Sequence, residues 1–218
     1  MSRAAFAHVR HWVFDLDNTL YPPEAKLFDQ VGVRMTDWVM GALGVDRAEA
    51  DRLRDHYWAT YGTTLAGLMA EHQVDPEAYL LAVHEVTVDE LEPDPVLAAA
   101  IAGLPGRKIV YTNGSAPYAG RVLEARGLTG LFDAVYGVEH AGYRPKPERA
   151  AFEAVFAASQ TEPERAAMFE DDPRNLVAPH AMGLRTVLVG PAGPELAHVD
   201  HRTEDLAGFL LALAAMAT

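Results

Sequence analysis

Four short stretches carry side chains able to do chemistry together. VFDLDNTLYPP (Val13 to Pro23) ends an apolar run with two carboxylates, Asp15 and Asp17, two positions apart, with Thr19 following. EDDPRN (Glu170 to Asn175) offers a second acidic pair, Asp171 and Asp172. Carboxylates crowded at one place repel, so a proton or a cation is needed to hold them, and Mg²⁺ prefers such oxygen ligands. YTNGS (Tyr111 to Ser115) supplies the Thr112 hydroxyl, Asn113 and a run of backbone N–H groups beside a glycine, a loop able to wrap a phosphate. YRPKPE (Tyr143 to Glu148) sets Lys146 between prolines, which aims an ammonium with little entropy loss.

Each stretch has a plainer explanation taken alone. Asp15 suits a turn or a helix N-cap after a strand, Asn-Gly is a turn signal, and a loop lysine is commonly solvated. Pro173 suits the first position of a helix and Asp172 before it suits the N-cap, which leaves Asp171 as the metal-ligand candidate. Asp172 remains a candidate for contact with a metal-bound water. His198 and His201 (HVDH) read as polar surface rather than a metal pair.

These residues need elements to hold them. HWVF (His11 to Phe14), KIVY (Lys108 to Tyr111), AVYGV (Ala134 to Val138), AAMF (Ala166 to Phe169) and RTVLVG (Arg185 to Gly190) read as short buried strands. Helical patterns AGRVLEARG, PERAAFEAVFAAS and RNLVAPHAMG alternate with the later ones, which predicts an α/β fold: a Rossmann-like parallel sheet with helices on both faces. Ligands bind beyond the carboxyl ends of such strands. Asp15, Thr112 with Asn113, and Asp171 with Asp172 all follow strand ends, so three polar groups open on one edge.

The segment from about Glu24 to Leu91 reads as helical throughout. Phe28, Val31, Met35, Trp38, Val39 and Ala42 recur at helical spacing, and further runs follow at Ala48 to Thr60, Leu65 to His72 and Pro76 to Glu90. The pattern predicts an all-helical insertion over 21–92 in a core made of 1–20 and 93–218. LEPDP (Leu91 to Pro95) is the expected link back, its prolines stopping any helix. Thr203 to Met216 is expected to be an amphipathic helix docked on the core.

The chain has 218 residues, 50% of them hydrophobic, enough for one sizeable core plus an insertion. Eighteen Lys and Arg against 31 Asp and Glu give a formal net charge of −13. No basic run is present, which argues against binding a nucleic-acid polymer. The absence of cysteine excludes disulfides, thiolate metal sites and cysteine nucleophiles. No stretch approaches a membrane span or a secretory leader, so a soluble, cytoplasmic protein is expected.

Taken in order, Asp15-Leu-Asp17-Asn-Thr19, Thr112-Asn113, Lys146-Pro147 and Asp171-Asp172 resemble the four motifs of the haloacid dehalogenase superfamily of aspartate-nucleophile phosphatases. The insertion looks like that family's cap domain. The resemblance implies that Asp15 attacks phosphorus, that Asp17 protonates the leaving alcohol, and that Thr112 and the Asn113 N–H hold phosphate oxygens. It implies that Lys146 offsets charge, and that Mg²⁺ is held by the Asp15 carboxylate, the Asp17 carbonyl and Asp171. The superfamily's dehalogenases lack the second aspartate, so Asp17 favours phosphate esters. DNTLYPP, HYWATYGTTLAGLM (His56 to Met69) and LPGRKIVYTNG (Leu104 to Gly114) are similar to the pyrimidine 5′-nucleotidase branch. That likeness implies a nucleoside monophosphate substrate, with Tyr21, Tyr61, Thr63 and Thr64 meeting base or ribose. Cap packing or helix capping explains each of the four equally well. Glu170 stands where relatives often carry a small residue. A phosphatase for a sugar phosphate or phosphoglycolate, a phosphomutase and a non-catalytic binding module are the alternatives.

Overall fold

The computed structural model describes residues 5–215. Six strands form one sheet: β1 (His11–Phe14), β2 (Arg107–Tyr111), β3 (Ala134–Tyr136), β4 (Ala166–Glu170), β5 (Arg185–Val189) and β6 (His201–Thr203). Their order is β3-β2-β1-β4-β5-β6, and every neighbouring pair is parallel. The chain winds outward from β1 to β3, then returns to lay β4 on the other side of β1. The switch point therefore lies between β1 and β4, where a crevice opens at the strand ends.

The pleat divides the core into two layers. Trp12, Phe14, Val110, Phe169 and Val187 face α5 (Pro95–Ala102), α6 (Ala116–Ala125) and α9 (Leu206–Ala215). Val13, Ile109, Tyr111, Met168 and Leu188 face α7 (Arg149–Ser159) and α8 (Val177–Met182). Burial on both faces explains why these strands read as unbroken apolar runs.

Between β1 and α5 the chain forms α1 (Leu27–Leu43), α2 (Arg47–Tyr61), α3 (Thr64–His72) and α4 (Pro76–Val83). Asp46, Thr63 and Asp75 cap three of them, each accepting a backbone N–H of the first turn. Val39, Tyr57, Leu65, Leu68, Tyr79 and Val83 give these helices a core of their own. α3 lies so close to α2 that a Cβ on Gly67 would come within 2.5 Å of the Tyr57 side chain. Arg126 ties the two connecting segments together. Its guanidinium donates to Leu20 O at 3.1 Å on the outgoing segment, and to Glu92 O and Asp94 Oδ2 on the returning one, the last at 2.8 Å.

Three expectations are corrected. Pro95 does not end a helix but begins α5, at the first position after the capping Asp94, where a missing N–H is harmless. The helix expected over Pro76 to Glu90 stops at Val83, because His84 turns into the core to meet Ser115 and Tyr118. His201–Thr203 forms an edge strand where polar HRT gives no strand signal, so the last helix starts at Leu206 rather than Thr203. Its expected end, Met216, lies outside the described residues.

Candidate active site

The strand ends bring the polar residues together. Asp15 continues β1 by donating its N–H to Phe169 O at 2.9 Å, and Thr112 continues β2 by donating to Tyr136 O at 3.0 Å. Asp171 follows β4. Asn18 takes a left-handed conformation (φ 57°), which asparagine tolerates, and its amide donates to Asp171 Oδ2 at 3.3 Å.

Lys146 is 1% exposed and sits at the centre. Its ammonium donates to Asp15 Oδ1 and Glu170 Oε2, both at 2.6 Å, and to Tyr111 O at 3.2 Å. The Asn113 side chain clamps the Lys146 backbone: Oδ1 accepts Lys146 N–H at 2.7 Å, and Nδ2 donates to Lys146 O at 3.1 Å. Burial alone would lower the Lys146 pKa, but Asp15 and Glu170 outweigh it and raise it, so the ammonium stays charged. Burial pushes Asp15 up to about 8, with Glu170 adding to the rise and Lys146 opposing it. Burial likewise takes Glu170 up to about 7 and Asp171 up to about 6.

Oxygens of Asp15, Glu170 and Asp171 lie within 4.8 Å of one another. Three carboxylates against one ammonium leave excess negative charge in a buried place, and an all-oxygen donor set of this kind suits a hard divalent cation. Glu170 completes the cluster, although the sequence reading gave it no role. It closes an apolar strand and therefore reads as strand, and only the position of Lys146 reveals its function. Asp172 is spent differently. It caps the next turn through Arg174 N at 2.9 Å and holds the Arg174 guanidinium, Nη2 to Oδ2, at 2.7 Å.

Asp17 stands beside this cluster. Tyr21 and Tyr118 hydroxyls both donate to its Oδ1, at 2.6 and 2.7 Å. Burial raises the Asp17 pKa, and the two phenol hydrogen bonds oppose the rise. Thr112 is buried, and its Oγ1 accepts the Gly114 N–H at 2.9 Å, which shapes the loop.

A cavity of about 680 Å³ opens over Asp15, Asp17, Thr112, Asn113 and Lys146 and is roofed by α1–α4. Phe28, Val31, Met35, Leu80 and Val83 supply an apolar wall, with Trp58 at the rim. Trp58 stacks on Arg174, whose guanidinium carbon lies 3.4 Å from the ring centroid. Two buried polar atoms of the wall, Tyr79 OH and Arg54 Nε, have no partner among the described residues, and Thr64 lies beside Tyr79 without a hydrogen bond of proper geometry.

The residues proposed to meet substrate separate. Thr64 lines the cavity; Thr63 does too, but its hydroxyl caps α3 by accepting Ala66 N–H at 3.2 Å. Tyr21 is buried against Asp17 instead of lining the wall. Tyr61 turns to Glu71, at 2.9 Å, and is not among the cavity's lining residues. His201 packs between Phe6 and Phe209, and neither it nor His198 lines the cavity.

Comparison with known proteins agrees with this architecture. The yeast Saccharomyces cerevisiae phosphate metabolism protein 8 is 28% identical over 194 residues, a match covering 80% of this chain and 60% of that protein. The chain thus spans about 60% of the length of that relative. Among solved structures, the magnesium-bound HAD-hydrolase YfnB of Bacillus subtilis superposes with a TM-score of 0.61 at 16% identity, covering 94% of this chain and 98% of that one. CbbY of Rhodobacter sphaeroides in complex with phosphate gives 0.62 at 21% identity, with 91% and 95% covered. At such identities the likeness is one of fold. The sequence profile of haloacid dehalogenase-like hydrolases matches residues 9–183, most of the chain, and the protein therefore belongs to the haloacid dehalogenase-like hydrolase family.

Proposed function

We propose that the protein is a Mg²⁺-dependent phosphomonoesterase working through an aspartyl-phosphate on Asp15, with pyrimidine nucleoside 5′-monophosphates as substrates and residues 21–92 acting as the cap. The observation that carries this reading is the buried Asp15–Lys146–Glu170 triad under the cavity floor, with Asp171 beside it. The donor set fits Mg²⁺ held by Asp15, Glu170 and Asp171, with the Asp17 carbonyl a further candidate; when bound, the ion neutralises charge on the phosphoryl oxygens.

Lys146 keeps the Asp15 carboxylate in place and leaves one of its oxygens for attack on phosphorus. The Asp15 O–P bond forms as the bond to the leaving oxygen breaks. Asp17 gives its proton to that oxygen, then takes one from the water that hydrolyses the aspartyl-phosphate. Thr112 and the Asn113 N–H hold phosphoryl oxygens, and burial beneath the helices strengthens every electrostatic contact. Asp172 orients Arg174 at the rim instead of holding the ion.

The wall supports a nucleoside leaving group. Its apolar face suits a planar ring, and Thr64 offers a hydroxyl at the wall for a polar edge of a base. The relative in yeast carries a name from phosphate metabolism, which is compatible with a phosphate ester. The test is a panel of UMP, CMP, sugar phosphates, phosphoglycolate and a 2-haloacid, assayed with Mg²⁺ and again with EDTA. UMP or CMP should give the largest kcat/KM, lost on chelation. Turnover indifferent to EDTA rejects the metal, and a sugar phosphate ahead of UMP by a wide margin rejects the nucleotide.

A further inference from the structure

Tyr21 and Tyr118 come from different parts of the chain, the loop after β1 and the first turn of α6, yet both hydroxyls end on one oxygen, Asp17 Oδ1. The Thr112 hydroxyl also stands beside this carboxyl, no hydrogen bond of ordinary geometry from the described residues ends on Oδ2, and Asp17 lines the cavity. Burial and the neighbouring Asp17 raise the pKa of each phenol, so both remain protonated donors at neutral pH. Two donors on Oδ1 stabilise negative charge there, so a proton carried by this carboxyl resides on Oδ2. They also fix the carboxyl plane, since two bonds to one oxygen from two directions leave a single rotamer.

Tyr118 is itself held in place. The His84 ring lies parallel to it, with centroids 4.3 Å apart and planes 6° apart. His84 Nδ1 meets Ser115 Oγ at 3.0 Å, and Ser115 caps α6 one turn before Tyr118. A Cβ on Gly114 would stand 3.1 Å from the Tyr118 ring, so a side chain there would press on the ring. His84 directly follows α4, the last of the inserted helices.

We propose that Tyr21 and Tyr118 are positioning residues that aim Asp17 Oδ2 at the leaving-group oxygen, and that His84 links the seating of the inserted helices to that aim. The inference rests on the reading of Asp17 as proton donor. As the P–O bond to the leaving group breaks, its electron pair stays on the leaving oxygen, which takes the proton from Oδ2. Asp17 becomes a carboxylate whose charge the two phenols already stabilise.

The experiment compares leaving groups. A p-nitrophenolate departs without a proton, whereas an alkoxide needs one. Tyr118→Phe and Tyr21→Phe, which keep the rings, are assayed on p-nitrophenyl phosphate and on the alkyl phosphate that the enzyme hydrolyses fastest. Each should lower kcat/KM for the alkyl ester about 10-fold or more while leaving kcat/KM for the aryl ester within about 3-fold, because kcat/KM reports the steps up to departure of the leaving group and not the later hydrolysis that both esters share. His84→Ala should show the same selectivity at smaller amplitude. Asp17→Asn, measured alongside, separates the two levels of the argument. If it shows no leaving-group selectivity, the proton-donor reading fails and the inference with it. If Asp17→Asn is selective but the tyrosine variants lose both esters equally, or neither, positioning alone is overturned. Full alkyl-ester kcat/KM in His84→Ala removes the link to the inserted helices.

Discussion

The floor and the roof of the cavity are built on opposite principles. On the floor, Asp15, Lys146 and Glu170 are buried, and none of them leaves a buried polar atom unpaired. On the roof, Tyr79 OH and Arg54 Nε are buried without partners, while Phe28 and Trp58 are 43% and 51% exposed. A buried polar atom without a partner costs stability unless a ligand supplies one, and exposed aromatic surface invites burial. The floor is fully paired, while the roof keeps unpaired polar atoms and exposed aromatic surface. On the proposed reading, chemistry and selectivity are carried by different elements, the strand ends and the inserted helices.

Variants can break or sharpen this contrast. The largest effect belongs to the floor: Asp15→Asn should lower kcat by at least about 10³-fold, since no other group can take up the phosphoryl. Its Tm should not fall, because Lys146 keeps Glu170 and one crowded carboxylate is removed; a phosphatase assay with a thermal melt checks both. Lys146→Met should destabilise by about 3–5 kcal/mol in a urea melt, since two buried carboxylates lose their only ammonium. A loss below about 1 kcal/mol would show that the floor is not the paired, rigid unit described.

The boundary between the two regions has a pH signature. Burial, helped by the charge of nearby Arg121, lowers the His84 pKa from 6.5 to about 4. Above pH 6.5 the ring is neutral in both folded and unfolded chains, and its neutrality costs nothing. As pH falls from about 6.5 toward 4, only the unfolded chain takes up the proton, so stability is lost, by up to about 2–3 kcal/mol. His84→Asn should fall less steeply across that window in melts at pH 7 and pH 4.5. The smallest effect lies on the roof. Tyr79→Phe deletes a buried hydroxyl that has no partner among the described residues, so it should raise Tm slightly and leave KM for UMP and kcat on p-nitrophenyl phosphate within about 2-fold. A variant that loses Tm instead would show that the hydroxyl already has a partner.

Much of the floor was legible in the sequence, because its motif residues directly follow short apolar strands, or, for Lys146, stand between two prolines. Asp15, Thr112 and Asp171 stand out against WVF, KIVY and AMFE, and the parallel sheet gathers their positions. Glu170 was not legible, since one carboxylate within a strand gains meaning only from a lysine 24 residues away. Tyr118 was hidden inside a helical pattern, and its bond to Asp17 spans 101 positions. The roof was legible as helices but not as a surface, because side chains with and without partners look alike in one dimension. Thr63 read equally as a cap and as a substrate contact, and its hydroxyl is spent on Ala66. The missed β6 and α5 follow from local rules applied alone: a polar strand is set by its neighbour β5, and a proline both stops and starts helices.

Arg126 grips the chain where the inserted helices depart, at the Leu20 carbonyl, and where they return, at the Glu92 carbonyl and the Asp94 carboxylate. Both crossings therefore meet at one fixed knot on the sheet's flank. Whatever is spliced between them can grow, shrink or be exchanged with little disturbance to strand register. On the proposed reading the architecture is a socket, in which new selectivities would be fitted by swapping the plug while the wiring beneath it stays in place.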